Sequence, residues 1–369
     1  MKKKVKIFAV FLAAVMSISL GGCVNTHSWA VKSGNHSISA GMYIYQLQQE
    51  KSNYLSQNSL TESDETWDAE YDDKLTLGEY IQTSTVQSLV SSVTWRAQFD
   101  RLGLSFTDEE KATIEDNIKV MLDGAGGDEA VRQTLKEYGM DYDEFMQMVY
   151  YDPQKVLKVV QYYFGQQGLE PVSREEILEY FTDNYVRCKH ILISTVDENG
   201  AMLTGQDMTN ANKKAQSVFE QAKKANDADF DKLIAQYNDD EGVSAYPDGY
   251  VFTTGEMVDE FEKAAFDMEV GETRLIQSDY GFHIMRKLTL EDEKVFTQEI
   301  SQKMLMNLKA KEIGELFAQW QQELDCKLNT GVFKKYTCKT VKVGESTSQT
   351  EQEQLQEFAE QLGLEETQE

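Results

Sequence analysis

The chain of 369 residues predicts an α+β protein: mostly helical segments at either end, with a unit built on a four-stranded sheet inserted between them. Three observations predict it. Apolar residues recur at helical spacing before residue 185 and after residue 290. Between those points, short β-favouring runs and helical patterns follow the order βααβαββ within about a hundred residues, small enough for one compact domain. Two of the four histidines, His190 and His283, each interrupt one of the β-favouring runs, so each side chain should project from a strand face.

Taken in chain order, 29–42 reads as a strand, a Gly34-Asn35 turn and a second strand, with Tyr43 opening a helix. The stretch 56–73 is acidic, lacks apolar periodicity and reads as a loop. Leu77, Ile81, Val86, Leu89, Val90, Val93 and Ala97 mark an amphipathic helix over 77–99. Thr107 with Glu110, and Ser173 with Glu176, have capping-box spacing and start two more. Helices near 129–138 and 141–163 lie between them, with Gly139 ending the first. The glycine-rich run 123–128 joins two helices and follows no strand, which makes it a connector and not a phosphate loop.

Beyond Tyr185 the pattern becomes mixed. It gives a strand over 187–194, a polar loop over 196–209, helices over 211–222 and 230–237, and an irregular stretch over 238–248. A strand at 249–252, a short helix containing Met257, Phe261 and Ala265, and a strand pair at 272–277 and 282–288 complete the unit. Ile300, Met304, Ile313, Phe317, Trp320 and Leu324 mark a further amphipathic helix after Glu291, and 332–343 reads as a strand. The tail 344–369 holds eight Glu and no base, a composition expected to stay disordered or marginally helical.

Charge and termini narrow the function classes. The first 22 residues carry four Lys and no acid, so the 36 basic residues fall to 32 against 63 acidic ones, a net charge near −31. Nucleic acid is excluded as a partner, because phosphate binding needs a basic footprint. Lys2, Lys3, Lys4 and Lys6 precede an apolar run over 7–20, the pattern of a signal-peptide core. Leu20-Gly21-Gly22-Cys23 then resembles a lipobox, with Cys23 lipidated and tethered to the outer face of a membrane; an ordinary cleaved signal with an incidental Cys is the alternative. Cys188 reads as a buried free thiol. Cys326 and Cys338 are close enough in sequence to pair in an oxidising compartment or to stay free, and no metal-spaced cluster is present.

A family resemblance rests on five ordered blocks. They are Lys189-His190-Ile191-Leu192-Ile193, Tyr237-Asn238-Asp239-Asp240, the run from Phe252-Thr253-Thr254-Gly255-Glu256-Met257 to Phe266, Val270-Gly271-Glu272, and Tyr280-Gly281-Phe282-His283-Ile284. They resemble the parvulin-type peptidyl-prolyl cis/trans isomerases, and with the lipobox and helical flanks the chain resembles PrsA-type foldase lipoproteins and, more distantly, SurA. The resemblance implies a leader at 1–22, a chaperone segment at 23–184, a parvulin domain at 185–289, a segment at 290–343 that packs back on the N-terminal part, and the tail. It implies no cofactor, no metal, and exported, unfolded polypeptides as partners, met at a cell membrane on its extracytoplasmic side.

The resemblance also implies roles for residues. His190 and His283 pair at the floor of the site, with Asp240 as the carboxylate beside them where several relatives carry Cys. Met257 and Phe261, four apart on one helix, line a proline slot with Phe252 nearby, and Tyr280 stands where a small hydroxyl residue is common. The family's Gly-Gly-Asp-Leu-Gly stretch is here Ala245-Tyr246-Pro247-Asp248-Gly249-Tyr250. No basic cluster able to read phosphoserine follows the first strand. The residues leave two functions open, an active prolyl isomerase and a holding chaperone that binds chains without turnover.

Overall fold

A computed structural model describes residues 26–342 apart from 138, 198 and 199. The leader, Cys23 and the tail 344–369 lie outside the described residues. The chain divides into two units, one taking residues up to Tyr162 and from Glu312 onward, the other Tyr163–Lys311.

In the first unit, strands β1 (Trp29–Ser33) and β2 (His36–Ser39) form an antiparallel hairpin, and β7 (Lys327–Leu328) pairs with the other edge of β1. The C-terminal segment thus completes a sheet begun at the N-terminus. Helix Ala40–Gln57 starts three residues before the expected Tyr43 because the Ser39 side chain accepts the Met42 N–H and ends the strand there. The expected loop at 56–73 contains a helix, Asp64–Asp68, capped by Ser63 and burying Trp67. Helix Leu77–Arg101 carries a capping box of its own, Thr76 with Glu79, and the boxes at Thr107 and Ser173 both form.

The helix expected over 141–163 is interrupted. A π-turn, Gln147–Tyr151, separates Tyr142–Met146 from Asp152–Phe164. Buried Arg96 grips the Asp152 carboxylate at 2.7 and 2.8 Å, and Gln147 donates to it at 2.9 Å, so side chains take up the chain at the break.

The single helix expected through 300–324 is two, Gln298–Leu308 and Ala310–Glu323, which part at Lys309. Among the described residues 332–342 no strand forms, and helix Thr330–Lys335 opens that segment instead. The Asn329 side chain accepts the Val332 N–H, and Val332 and Tyr336 bury one turn apart in the core around Tyr43, Leu47, Leu89 and Val93. Cys326 and Cys338 are free thiols, and the Cys338 thiol donates to the Gly78 carbonyl at 3.3 Å. Lys51, 0% exposed, donates to Glu62 at 2.6 Å, to the Cys338 carbonyl at 2.7 Å and to the Val341 carbonyl, which holds the last described turn against the core.

The second unit is built on an antiparallel sheet of β3 (Val186–Ser194), β4 (Tyr250–Phe252), β5 (Thr273–Ser278) and β6 (Gly281–Leu288), in the order β4-β3-β6-β5. Strand alternation gives it two different faces. Ile191, Ile193, Phe282 and Ile284 pack against Ala215, Val218 and Phe230 from helices Gly205–Ala222 and Asp227–Tyr237. Cys188, Phe252 and Met285 pack against Phe261 and Ala265 from helix Asp259–Asp267.

Two local expectations change here. The loop over 196–209 is shorter than expected, since the helix begins at Gly205 and Val196 bridges to Met202. Met257 lies before its helix and not on it: Gly255 has φ +86°, Glu256 accepts the Thr253 N–H, and extended Val258 delays the first helical turn to Asp259.

The β5–β6 turn depends on Gly281, which has φ +150° and on which a Cβ would meet the Ile193 carbonyl oxygen. Gly281→Ala is expected to destabilise the second unit by about 2 kcal/mol. Faster amide hydrogen exchange along β3 and β6 in the full chain is the readout, with the amides of the helix Leu77–Arg101 unchanged.

Candidate functional site

The β3–β6 register places the two histidines. His190 lies opposite Met285, and His283 opposite Leu192, so the pair are diagonal neighbours on the face that carries Cys188 and Met285. Their rings stack with centroids 5.4 Å apart at 12°, and the Nδ1 atoms meet at 3.2 Å. His190 Nε2 reaches Asp240 Oδ2 at 2.9 Å, and His283 Nε2 reaches Ser278 Oγ at 2.7 Å. The histidines and Ser278 are 6%, 5% and 7% exposed. Four side chains therefore form one hydrogen-bonded run across the sheet, from Ser278 on edge strand β5 through His283 on β6 and His190 on β3 to Asp240.

Asp240 is delivered by a loop that completes the sheet. Strand β4 covers β3 only as far as Cys188. Beyond it, Asn238 Oδ1 accepts the Leu192 N–H at 2.8 Å, the Asp239 N–H donates to the Leu192 carbonyl at 2.9 Å, and Asp239 accepts the Ser194 N–H at 2.9 Å. Asp240 then caps the short turn Glu241–Ala245, its Oδ1 accepting the Gly242 N–H at 2.9 Å.

The apolar wall comes from the covering helix. The Phe261 ring meets His190 at 5.1 Å and 83°, and His283 at 5.5 Å and 74°, edge-to-face with both. Phe252 lies 5.8 Å from Phe261, and half-buried Met257 packs against the same cluster. Five of the six expected pocket and polar residues around His190 thus meet in one place: His283, Asp240, Phe252, Met257 and Phe261. Tyr280 differs. Its side chain is 57% exposed in the β5–β6 turn, and what it brings to the site is a backbone N–H donated to Ser278 Oγ at 3.2 Å.

Sequence reasoning overlooked Ser278 and Tyr250. The small hydroxyl beside the second histidine is present, two residues before the position assigned to it. Alternation held the signal: Ser278 pairs with Gly281 and shares a face with His283, and Tyr250 pairs with Cys188 and shares a face with His190. The Tyr250 hydroxyl donates to Asp240 Oδ2 at 2.9 Å.

Electrostatics give the run a direction. The hydrogen bond from His190, assisted by those from Tyr250 and Gly242, holds the Asp240 carboxyl down to about 2. An ionised carboxylate only accepts, so His190 carries its proton on Nε2. With both rings neutral, His190 Nδ1 accepts from His283 Nδ1–H, and His283 Nε2 accepts the Ser278 hydroxyl proton. Burial, and next the neighbouring His190, hold His283 down to about 4. Burial also pushes the Cys188 thiol up to about 12, so it is no nucleophile at neutral pH. Among the described residues no group of three or more His, Cys, Asp or Glu side chains could hold a metal ion.

Residues 175–289 match the family model of the PPIC-type PPIASE domain. The chain is similar to foldase protein PrsA of Geobacillus kaustophilus, 36% identical over 133 residues that cover 34% of this chain and 40% of that protein. It is also similar to foldase protein PrsA of Staphylococcus epidermidis, 31% identical over 196 residues, 52% of this chain and 56% of that one. The chain thus spans about half the length of these curated relatives. The crystal structure of PrsA from Bacillus subtilis aligns with 70% of this chain and 93% of its own, at 20% identity and a TM-score of 0.29.

A pH dependence of stability follows from His283. Its folded value of about 4 lies below the unfolded 6.5, so between those limits the unfolded chain binds a proton that the folded one lacks. Stability on its account is intact above 6.5, falls as the pH drops to about 4, and falls no further below that. The second unit of the wild type should lose up to roughly 3 kcal/mol across this window, and His283→Gln most of that dependence. Denaturant midpoints at several pH values for both chains check it.

Proposed function

We propose that this chain, in which residues 175–289 form a PPIC-type peptidyl-prolyl isomerase domain, is a membrane-anchored extracytoplasmic foldase that turns Xaa-Pro bonds in exported polypeptides. The observation that carries the proposal is the run Asp240–His190–His283–Ser278, capped by Phe261 beside Phe252 and Met257.

The reaction needs little covalent chemistry. Rotation about the prolyl amide crosses a barrier of about 18–20 kcal/mol that is resonance energy, with no bond broken. Acceleration therefore comes from binding the twisted amide better than the planar one, and each tenfold requires about 1.4 kcal/mol of that difference. Half-buried Met257, backed by buried Phe261 and Phe252, supplies apolar surface for a pyrrolidine ring, which favours a dry site where polar contacts act strongly. Asp240, with its side chain 27% exposed, is the polar member of the run most open to solvent. It would meet a substrate as a carboxylate already fixed in place. His190, His283 and Ser278 lie beneath it and act by holding it in place.

Several features support the foldase reading over a stand-alone isomerase. The isomerase domain is inserted among helical segments, the similarity to foldase proteins extends beyond that domain, and the N-terminal lipobox pattern suits export and anchoring.

Two outcomes are expected. The full chain should accelerate cis/trans exchange in an Xaa-Pro peptide, followed by exchange NMR, with Phe261→Ala lowering kcat/KM by roughly a hundredfold and His283→Ala by roughly tenfold. Exchange at the uncatalysed rate with the wild-type chain would leave the holding-chaperone reading. Expressed with its leader in a bacterium that lipidates exported proteins, the chain should fractionate with membranes and take up a labelled fatty acid, and Cys23→Ala should do neither.

A further inference from the structure

Tyr250 sits in the stretch where this chain departs most from the family's glycine-rich pattern. It is the first residue of β4, and its pairing with Cys188 turns it to the face that carries His190. Its hydroxyl donates to Asp240 Oδ2 at 2.9 Å, and the same oxygen receives His190 Nε2 at 2.9 Å. Its ring stands edge-on to His190 at 5.5 Å and 74°, and the Tyr246 ring leans on it from the solvent side at 4.6 Å.

Resting on the isomerase reading, we propose that Tyr250 is a positioning residue of the site: its phenol clamps the Asp240 carboxylate against His190 and thereby fixes the tautomers of both imidazoles. Asp240 belongs to a turn and not to a strand, so nothing in the regular structure sets its side-chain torsions. Three donors set them instead, the Gly242 amide from its own turn, the Tyr250 hydroxyl from β4 and His190 Nε2 from β3. Two of the three converge on Oδ2.

Removing the phenol leaves His190 as the sole protein donor to that oxygen. The carboxylate can then turn toward water, and a neutral His190 released from it can carry its proton on Nδ1, which reverses the Nδ1–Nδ1 contact and the bond to Ser278. The phenol suits the task because it is a neutral donor that stays protonated: burial first, and the adjacent carboxylate next, raise its pKa. The groups facing Asp240 are His190 from β3, the phenol from β4 and, at longer range, His283 from β6, with Asp239 and Glu241 flanking it in the turn.

Tyr250→Phe in the full chain tests this, since it keeps the ring contacts and deletes one hydrogen bond. The chain labelled with ¹⁵N-histidine should show one fixed tautomer on each of His190 and His283 at neutral pH, and the variant should show averaged tautomers on both. The Asp240 carboxyl ¹³C titration, with a midpoint at about 2 in the wild type, should move upward in the variant. The kcat should fall roughly tenfold, with KM changed less than about twofold. Tyr246→Phe should move none of these. Imidazole shifts and a carboxyl titration that match the wild type overturn the proposal. The nuclear measurements decide it even for a chain without turnover, so their failure is distinct from failure of the isomerase reading.

Discussion

The register of β3 against β6 decides whether a site exists at all. Pairing runs from Arg187 opposite Leu288 to Ser194 opposite Gly281, and a slip by one residue would send His190 or His283 to the face occupied by Ile191 and Ile284. Apolar alternation resists such a slip, because each face has its own covering helices. Arg286 adds a polar pin on the face opposite the histidines. It is buried and donates to the carbonyls of Ala222 and Ala225 at 2.6 and 2.9 Å, a pairing that only this register allows. Gly281 closes the end, where the β5–β6 turn meets the Ile193 carbonyl too closely for any side chain.

Given that register, the polar run solves a desolvation problem. An imidazolium buried beneath Phe261 would lose most of its hydration, a penalty of several kcal/mol that one hydrogen bond does not offset. The charge instead sits on Asp240, at the solvent-facing end, where three donors meet it. His283, deeper in the run, is kept neutral by its burial, and each donor in the run has an acceptor. Burial of His283 and ionisation of Asp240 are thus two ends of one arrangement.

Much of this was legible from residue type and spacing. His190 and His283 announced themselves as polar residues within β-favouring runs, and capping boxes at Thr107 and Ser173 are local signals that need no tertiary information. What escaped was set by distant contacts or by short elements. Helix Asp64–Asp68 is too short to show a period, and it exists to seat Trp67 in a core built partly by the C-terminal segment. The run after Asn329 alternates well enough for a strand, yet one side-chain cap and the burial of Val332 and Tyr336 wind it into a helix. Met257 reads as helical by its spacing from Phe261, but the turn chemistry of Gly255 and Glu256 overrides that spacing. Alternation alone points to Ser278 and Tyr250, while the departure of the Ala245–Tyr250 stretch from the family pattern hides what its tyrosine contributes.

The division of parts between strands and loops fits what amide rotation asks of a catalyst. A reaction that breaks no bond gains nothing from a strong nucleophile, and the one nearby thiol, Cys188, is buried and protonated. It gains from a frame of dipoles that need not reorganise while the amide twists. The two histidines and Ser278, all on strands and all satisfied, supply such a frame. The groups that would follow a moving substrate, Met257 and Asp240, come from turns instead. Of these two, the thioether can adapt freely. The carboxylate cannot be allowed to, because its position determines every tautomer behind it, and that asymmetry explains why a strand residue, Tyr250, reaches out to hold it.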